Sequence, residues 1–152
     1  MPTYVCSVRS GLLDEKQKTE IAKAITRNHH EATGAPPYFV QVVIDESTTA
    51  QRYLGGEPAS DQLWIRADIR SGRTAEQRRS LMLAIVRDVA RIAGIEHRSI
   101  WVYLCNLEPT DMVEYGQVLP LPGREHEWFD SLPSDLRDYL TSLGTHGRDF
   151  DW

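Results

Sequence analysis

Cationic excess, long apolar runs and cysteine are all scarce in this chain, and each shortage closes a class of functions. Lysine and arginine number 17 against 22 aspartates and glutamates, a formal charge of −5. A nucleic-acid partner, which needs a surplus of Lys and Arg on one face, is therefore not expected. No apolar run approaches the roughly 18 residues that span a bilayer, so no membrane partner is expected either. Met1-Pro2-Thr3-Tyr4-Val5-Cys6 lacks the basic and apolar regions of a secretory signal, which makes the cytoplasm the expected compartment. Only two cysteines are present, Cys6 and Cys105, both in strand-like segments, and they read as buried thiols rather than a disulfide framework. What remains is an ordinary globular composition, 41% hydrophobic and 26% charged, in 152 residues that can bury a core without staples.

What is present is a repeat at an offset of 60 residues: Ala24-Ile25-Thr26-Arg27 aligns with Ala84-Ile85-Val86-Arg87, Gln17 with Gln77, Gly34 with Gly94, and Val42 with Val102. Each half opens with an extended segment, Thr3 to Arg9 and Gln62 to Arg70. Each continues with a capping-box pattern, Asp14-x-x-Gln17 and Thr74-x-x-Gln77. Each helix stops at a glycine suited to the left-handed position after the last turn, Gly34 and Gly94. Each half closes in a β-branched and aromatic run, Tyr38 to Asp45 and Ser99 to Asn106. The reading is an α/β (α+β) chain forming one domain over 1–152. It comprises a first βαβ unit over 2–61, a second over 62–106 and a C-terminal tail over 107–152. The two units form a four-stranded sheet with two helices on one face.

Side-chain periodicity separates the faces. On the first helix Lys18, Ile21, Ala22, Ile25, His29 and Ala32 share a mostly apolar stripe. Leu63, Ile65, Ala67 and Ile69 point one way along their strand, and Trp64, Arg66, Asp68 and Arg70 the other. Ile100, Val102 and Leu104 oppose Trp101, Tyr103 and Cys105. A sheet face carrying Trp, Tyr and Arg needs a cover, which implies an oligomer. The tail is irregular through Pro109, Gly116, Pro120, Pro122 and Gly123, with one short helix from Ser134, its expected N-cap, to about Leu143. Trp128 and Phe129 are expected to pack it onto the body or onto a neighbouring subunit.

These residues, with Met1-Pro2-Thr3-Tyr4, Ala22-Lys23-Ala24-Ile25-Thr26, Arg70-Ser71-Gly72-Arg73, Ile100-Trp101-Val102-Tyr103, Met112-Val113-Glu114-Tyr115-Gly116 and Glu127-Trp128-Phe129-Asp130, resemble the tautomerase superfamily. More narrowly they resemble its cis-3-chloroacrylic acid dehalogenase group, from Pro2 to about Leu140. The resemblance implies a tautomerase-like fold, a homotrimer, no cofactor, and functional positions at Pro2, His29, Arg70, Arg73, Tyr103 and Glu114. Ala35 and Phe39 stand where that group has threonine and leucine, a departure that bears on pocket shape.

Each position also has a plainer reading. Pro2 opens a strand, as prolines do; with Met1 removed it would expose a secondary amine titrating near working pH. Arg70 and Arg73 flank Gly72 at a strand-to-helix turn, where they either pair with Asp68 or Glu76 or grip a small carboxylate substrate as two forks. His29 is a core histidine or a donor to the substrate. His29-His30-Glu31 does not make a metal site, because adjacent helical residues diverge by about 100°, and no metal is expected. Tyr103 packs or orients a water; Glu114 is a solvated carboxylate or that water's base.

Together, the set implies a cofactor-independent hydratase or dehalogenase of short 3-substituted unsaturated acids (cis-3-haloacrylate-like or propiolate-like) that yields malonate semialdehyde. Pro2 is then the acid, Glu114 and Tyr103 activate water, and His29, Arg70 and Arg73 bind the carboxylate. The alternatives are a keto–enol tautomerase of 2-oxo acids with Pro2 as base, and a non-catalytic ligand-binding module of ferredoxin-like strand order.

Overall fold

The capping boxes expected from Asp14-x-x-Gln17 and Thr74-x-x-Gln77 are formed, and they start helices α1 (Glu15–Thr33) and α2 (Ala75–Ala93). In both, the N-cap side chain accepts from the Gln backbone N–H, and the Gln side chain returns to the cap. Both helices end at a left-handed glycine, Gly34 with φ 68° and Gly94 with φ 69°. The structure, a computed structural model, describes residues 2–46 and 49–143.

Strands β1 (Thr3–Ser7) and β2 (Gln41–Asp45) run parallel, as β5 (Leu63–Arg70) and β6 (Ile100–Leu107) do, and β1 meets β5 antiparallel. The sheet order is β2-β1-β5-β6, so the two βαβ units join through their first strands. Two short hairpins accompany it, β3 (Tyr53–Leu54) with β4 (Glu57–Pro58) and β7 (Val113–Glu114) with β8 (Gln117–Val118). The tail adds helices α3 (Glu125–Asp130) and α4 (Ser134–Ser142).

Alternation sends Tyr4, Cys6, Leu63, Ile65, Ala67 and Ile69 into the core, where they meet Ile21, Ile25, Leu81, Ile85 and Val89 of the helices. Where the helices touch, the repeat pairs with itself. Asn28 donates to its offset-60 counterpart Asp88 at 3.1 Å, and Arg27 and Arg87 flank the same carboxylate. Replacing Asp88 by alanine would leave the buried Asn28 amide without its acceptor, at an expected cost of about 1–3 kcal/mol in a denaturant titration. An unchanged midpoint would mean that this polar pair is dispensable.

Four local expectations shift. The run from Tyr38 is extended only from Gln41, because Pro37–Phe39 form a turn of 3₁₀ helix that begins with proline. Ser134 is the first residue of α4 rather than its cap; Pro133 precedes the helix with extended backbone. The tail holds a hairpin and a second helix, since it has its own core: Ala35, Phe39 and Leu119 with Met112, Tyr115 and Trp128 around them. Trp128 thus packs on the same chain, 5.2 Å from Phe39, while Phe129 meets Tyr38. Cys6 is buried and Cys105 only half-buried, both as free thiols.

The outer sheet face is open at Trp64, Trp101 and Tyr103 (37%, 45% and 49% exposed). Arg70, which shares the parity of Trp64, is 2% exposed, because Pro120 and Glu125 of the tail close over it.

Candidate functional site

Arg70 ends β5 and Arg73 lies in the turn that leads to α2, with Gly72 between them. Gly72 has φ +100°, a region L side chains avoid, and a Cβ there would lie 2.7 Å from Pro122 Cγ. The turn that sets the spacing of the two guanidinium groups therefore requires glycine and is held by the tail. The Arg70 Nη1 donates to the Pro120 carbonyl and its Nη2 to the Glu125 carboxylate. Its Nε is buried with no partner among the described residues. Arg73 approaches the same carboxylate at 4.0 Å, with its side chain 9% exposed, and makes no side-chain hydrogen bond and no other ion pair among the described residues. Burial and the neighbouring Arg70 both lower the Arg73 pKa, as expected of two like charges in a small volume. The two arginines hold the Glu125 carboxyl below its ordinary range against its own burial.

His29 comes from the buried stripe of α1 and lies beside Tyr4 of β1, whose hydroxyl is 2.8 Å from Nδ1. Burial, then Arg73 and Arg70, push the imidazole down to about 3. It is therefore neutral at any working pH. The Tyr4 phenol, raised far above its usual value by burial, keeps its proton. We assign that proton to the hydrogen bond with Nδ1, which leaves Nε2–H as the donor His29 offers.

Pro2 is buried, and its carbonyl accepts from Gln41 N at 3.0 Å. The next residue, Thr3, is in register with Asp68, two residues before Arg70. Thr3 and Glu114 line one cleft of about 530 Å³, together with Phe39, Gln41, Met112 and Tyr115. Glu114 is the last residue before the Tyr115-Gly116 turn of the β7–β8 hairpin, where both turn residues have positive φ (53° and 74°). The Tyr115 hydroxyl donates to the Tyr38 carbonyl and fixes that turn to the 3₁₀ segment.

Of the six residues expected from the sequence, His29, Arg70 and Arg73 thus form one cluster, and Pro2 and Glu114 border the start of β1 beside it. Tyr103 is elsewhere in this chain. It pairs in register with Arg66, and Arg66 with Val5, on the open face. Two strand spacings and three residues along the strand put it on the order of 14 Å from Pro2. It lines a separate cleft of about 380 Å³ with Arg52, Tyr53, Trp64 and Trp101.

Glu125 and Tyr4 are contributors that the sequence reading passed over. Nothing in Arg124-Glu125-His126-Glu127 distinguishes the carboxylate that turns inward from the one that pairs on the surface with Arg124. Glu125 also borders an apolar cavity of about 310 Å³ with Tyr38, Phe129 and Leu140. Burial and the nearby Glu125 push the Tyr38 phenol there up to about 12.

Residues 1–131 match the family model Tautomerase_3, described as an oxalocrotonate tautomerase enzyme. The crystal structure of N1, a member of the cis-3-chloroacrylic acid dehalogenase family, is 38% identical; the match covers 93% of this chain and 99% of that one with a TM-score of 0.89. A native fused 4-OT is 26% identical over 76% of this chain and 94% of that one, TM-score 0.68. A fused 4-OT solved as an asymmetric trimer is 24% identical over 76% and 94%, TM-score 0.69. No curated protein sequence matches the chain. With the duplicated βαβ fold, the paired arginines and the matched family model in agreement, the chain belongs to the tautomerase superfamily as a member of the Tautomerase_3 family.

Proposed function

We propose that this chain is a cofactor-independent hydratase and dehalogenase of short 3-substituted unsaturated carboxylic acids, of the cis-3-haloacrylate or propiolate type, yielding malonate semialdehyde. The observation that carries the reading is the cluster of Arg73, Arg70 and a neutral His29 at the end of β5, beside the strand that begins after Pro2. Such a cluster suits a carboxylate and draws electron density toward it. With Met1 removed, protonated Pro2 gives its proton to C2 while Glu114 takes one from the water that attacks C3. A halogen on C3 then leaves as halide when the hydroxyl of the adduct loses its proton and collapses to the aldehyde. From propiolate the adduct is an enol, which ketonises to the same product.

Tyr103 fits this scheme if it comes from a second copy. The exposed Trp64, Trp101 and Tyr103 and the trimer formed by a fused 4-OT support a homotrimer in which a neighbour's open face closes the cleft around Glu114. A monomer in solution under assay conditions removes this part of the proposal.

The test is NMR detection of malonate semialdehyde from cis-3-chloroacrylate or propiolate. Replacing Glu114 by glutamine should lower turnover by about 10²–10⁴-fold, the usual share of a general base; full activity in that variant rules the mechanism out. The second reading, a keto–enol tautomerase of 2-oxo acids with Pro2 as base, is favoured by the description of the matched family model. The pH–rate profile separates the two. An acid Pro2 loses activity as pH rises past its pKa, whereas a base gains it. A protein that keeps Met1 when made in cells that process it would favour the non-catalytic module.

A further inference from the structure

Resting on the carboxylate-binding reading above, we propose that Glu125 is a specificity-determining residue of this site. It occupies one guanidinium, sets the net charge that faces the substrate, and so selects monocarboxylates over dicarboxylates. Arg70 does not present an open fork: Nη1 is taken by the Pro120 carbonyl and Nη2 by Glu125, and the side chain is 2% exposed. Arg73, with its side chain 9% exposed, has no hydrogen-bond partner among the described residues and only the 4.0 Å approach to Glu125, so it is the fork left for a ligand. The charges in this cluster are Arg70 and Arg73 against Glu125, two positive and one negative, and His29 adds none. The protonated Pro2 and the Glu114 carboxylate of the mechanism above bring one charge of each sign and leave that balance unchanged. A single carboxylate neutralises that remainder. A second one would enter among buried groups with no unpaired cation to meet it, and an unpaired buried charge is strongly disfavoured. The residue acts through Arg70 and through the local field; it contacts no reacting atom in this scheme.

The experiment is calorimetric titration of the assembled protein with acrylate and with maleate, which differ by one carboxylate. The wild type is expected to bind acrylate at least about tenfold more tightly. Glu125→Gln should raise maleate affinity relative to acrylate by about tenfold or more, and Glu125→Asp, which keeps the charge, should restore the wild-type ratio. A folded Glu125→Gln protein with an unchanged ratio overturns the proposal. So does a wild type that binds maleate as tightly as acrylate, a result that stands even if the Gln variant does not fold. Acrylate binding with no turnover of haloacrylate or propiolate sinks the hydratase reading alone. The absence of any acrylate binding overturns the carboxylate site and this inference with it.

Discussion

Arg70→Ala is expected to cost about 3 kcal/mol of stability, the low end of the usual loss when one partner of a buried ion pair is removed, because Arg73 at 4.0 Å still partly compensates the carboxylate left behind. Arg73→Ala is expected to leave stability nearly intact while lowering kcat/KM on an unsaturated carboxylate by roughly ten- to a hundredfold or more. The contrast follows from what each guanidinium touches. Arg70 bonds the Pro120 carbonyl and the Glu125 carboxylate, so it ties the tail to β5. Its loss would leave a carboxylate whose side chain is 14% exposed with only the 4.0 Å approach of Arg73. Domains of this size have about 5–15 kcal/mol in total, so this change alone removes a large share of the margin. Arg73 makes no such bond, and burial already disfavours its charge. What alanine removes there is one or two charge-assisted hydrogen bonds to the ligand, about 1.5–3 kcal/mol each. Urea titrations and initial rates on the two variants decide the matter. Equal stability losses would mean that Arg70 and Arg73 are equivalent and that the tail is not held by the ion pair.

The second large effect is in pH. His29 is held at about 3 in the folded protein, against 6.5 for the unperturbed group, first by burial and then by Arg73 and Arg70. Between those values the unfolded chain binds a proton that the folded chain refuses, so folding loses stability as pH falls. The contribution is complete above about pH 6.5 and declines below it by up to about 1.4 kcal/mol per pH unit for this one proton. His29→Asn removes the titrating group. Urea midpoints taken from about pH 7 to pH 4 should therefore fall more steeply for the wild type than for the variant. Parallel slopes would show that the imidazole takes up a proton as readily folded as unfolded, and its role as a neutral donor would fall with that result.

Much of this architecture is local and therefore legible along the chain. The Asp14 and Thr74 caps close hydrogen bonds within three residues, and Gly34 and Gly94 adopt φ values that glycine accepts without strain. Alternation in Leu63–Arg70 assigns each side chain to a face before any partner strand is known. The offset of 60 that links Asn28 to Asp88 in the sequence is the same offset that brings them together where α1 meets α2. The reach of these signals is short. Tyr38 has the composition of a strand residue, yet Pro36-Pro37 bend the backbone there into a 3₁₀ turn. The tail reads as irregular because its order comes from packing Leu119 and Trp128 against Phe39, far away in the chain.

The sequence by itself determined the two βαβ units, their caps, their buried faces and the residue types from which a carboxylate site could be made. Those depend on backbone periodicity and on hydrogen bonds spanning a few residues. Only the tertiary structure decided that Arg70 is hydrogen-bonded and Arg73 is not, that His29 is neutral, and that Tyr103 lies away from Pro2. Each of these depends on which distant groups share a buried volume: Glu125 lies 55 residues from Arg70 and Tyr4 lies 25 from His29. Desolvation and pairing across that separation set charge and donor direction, and neither is encoded in any local pattern.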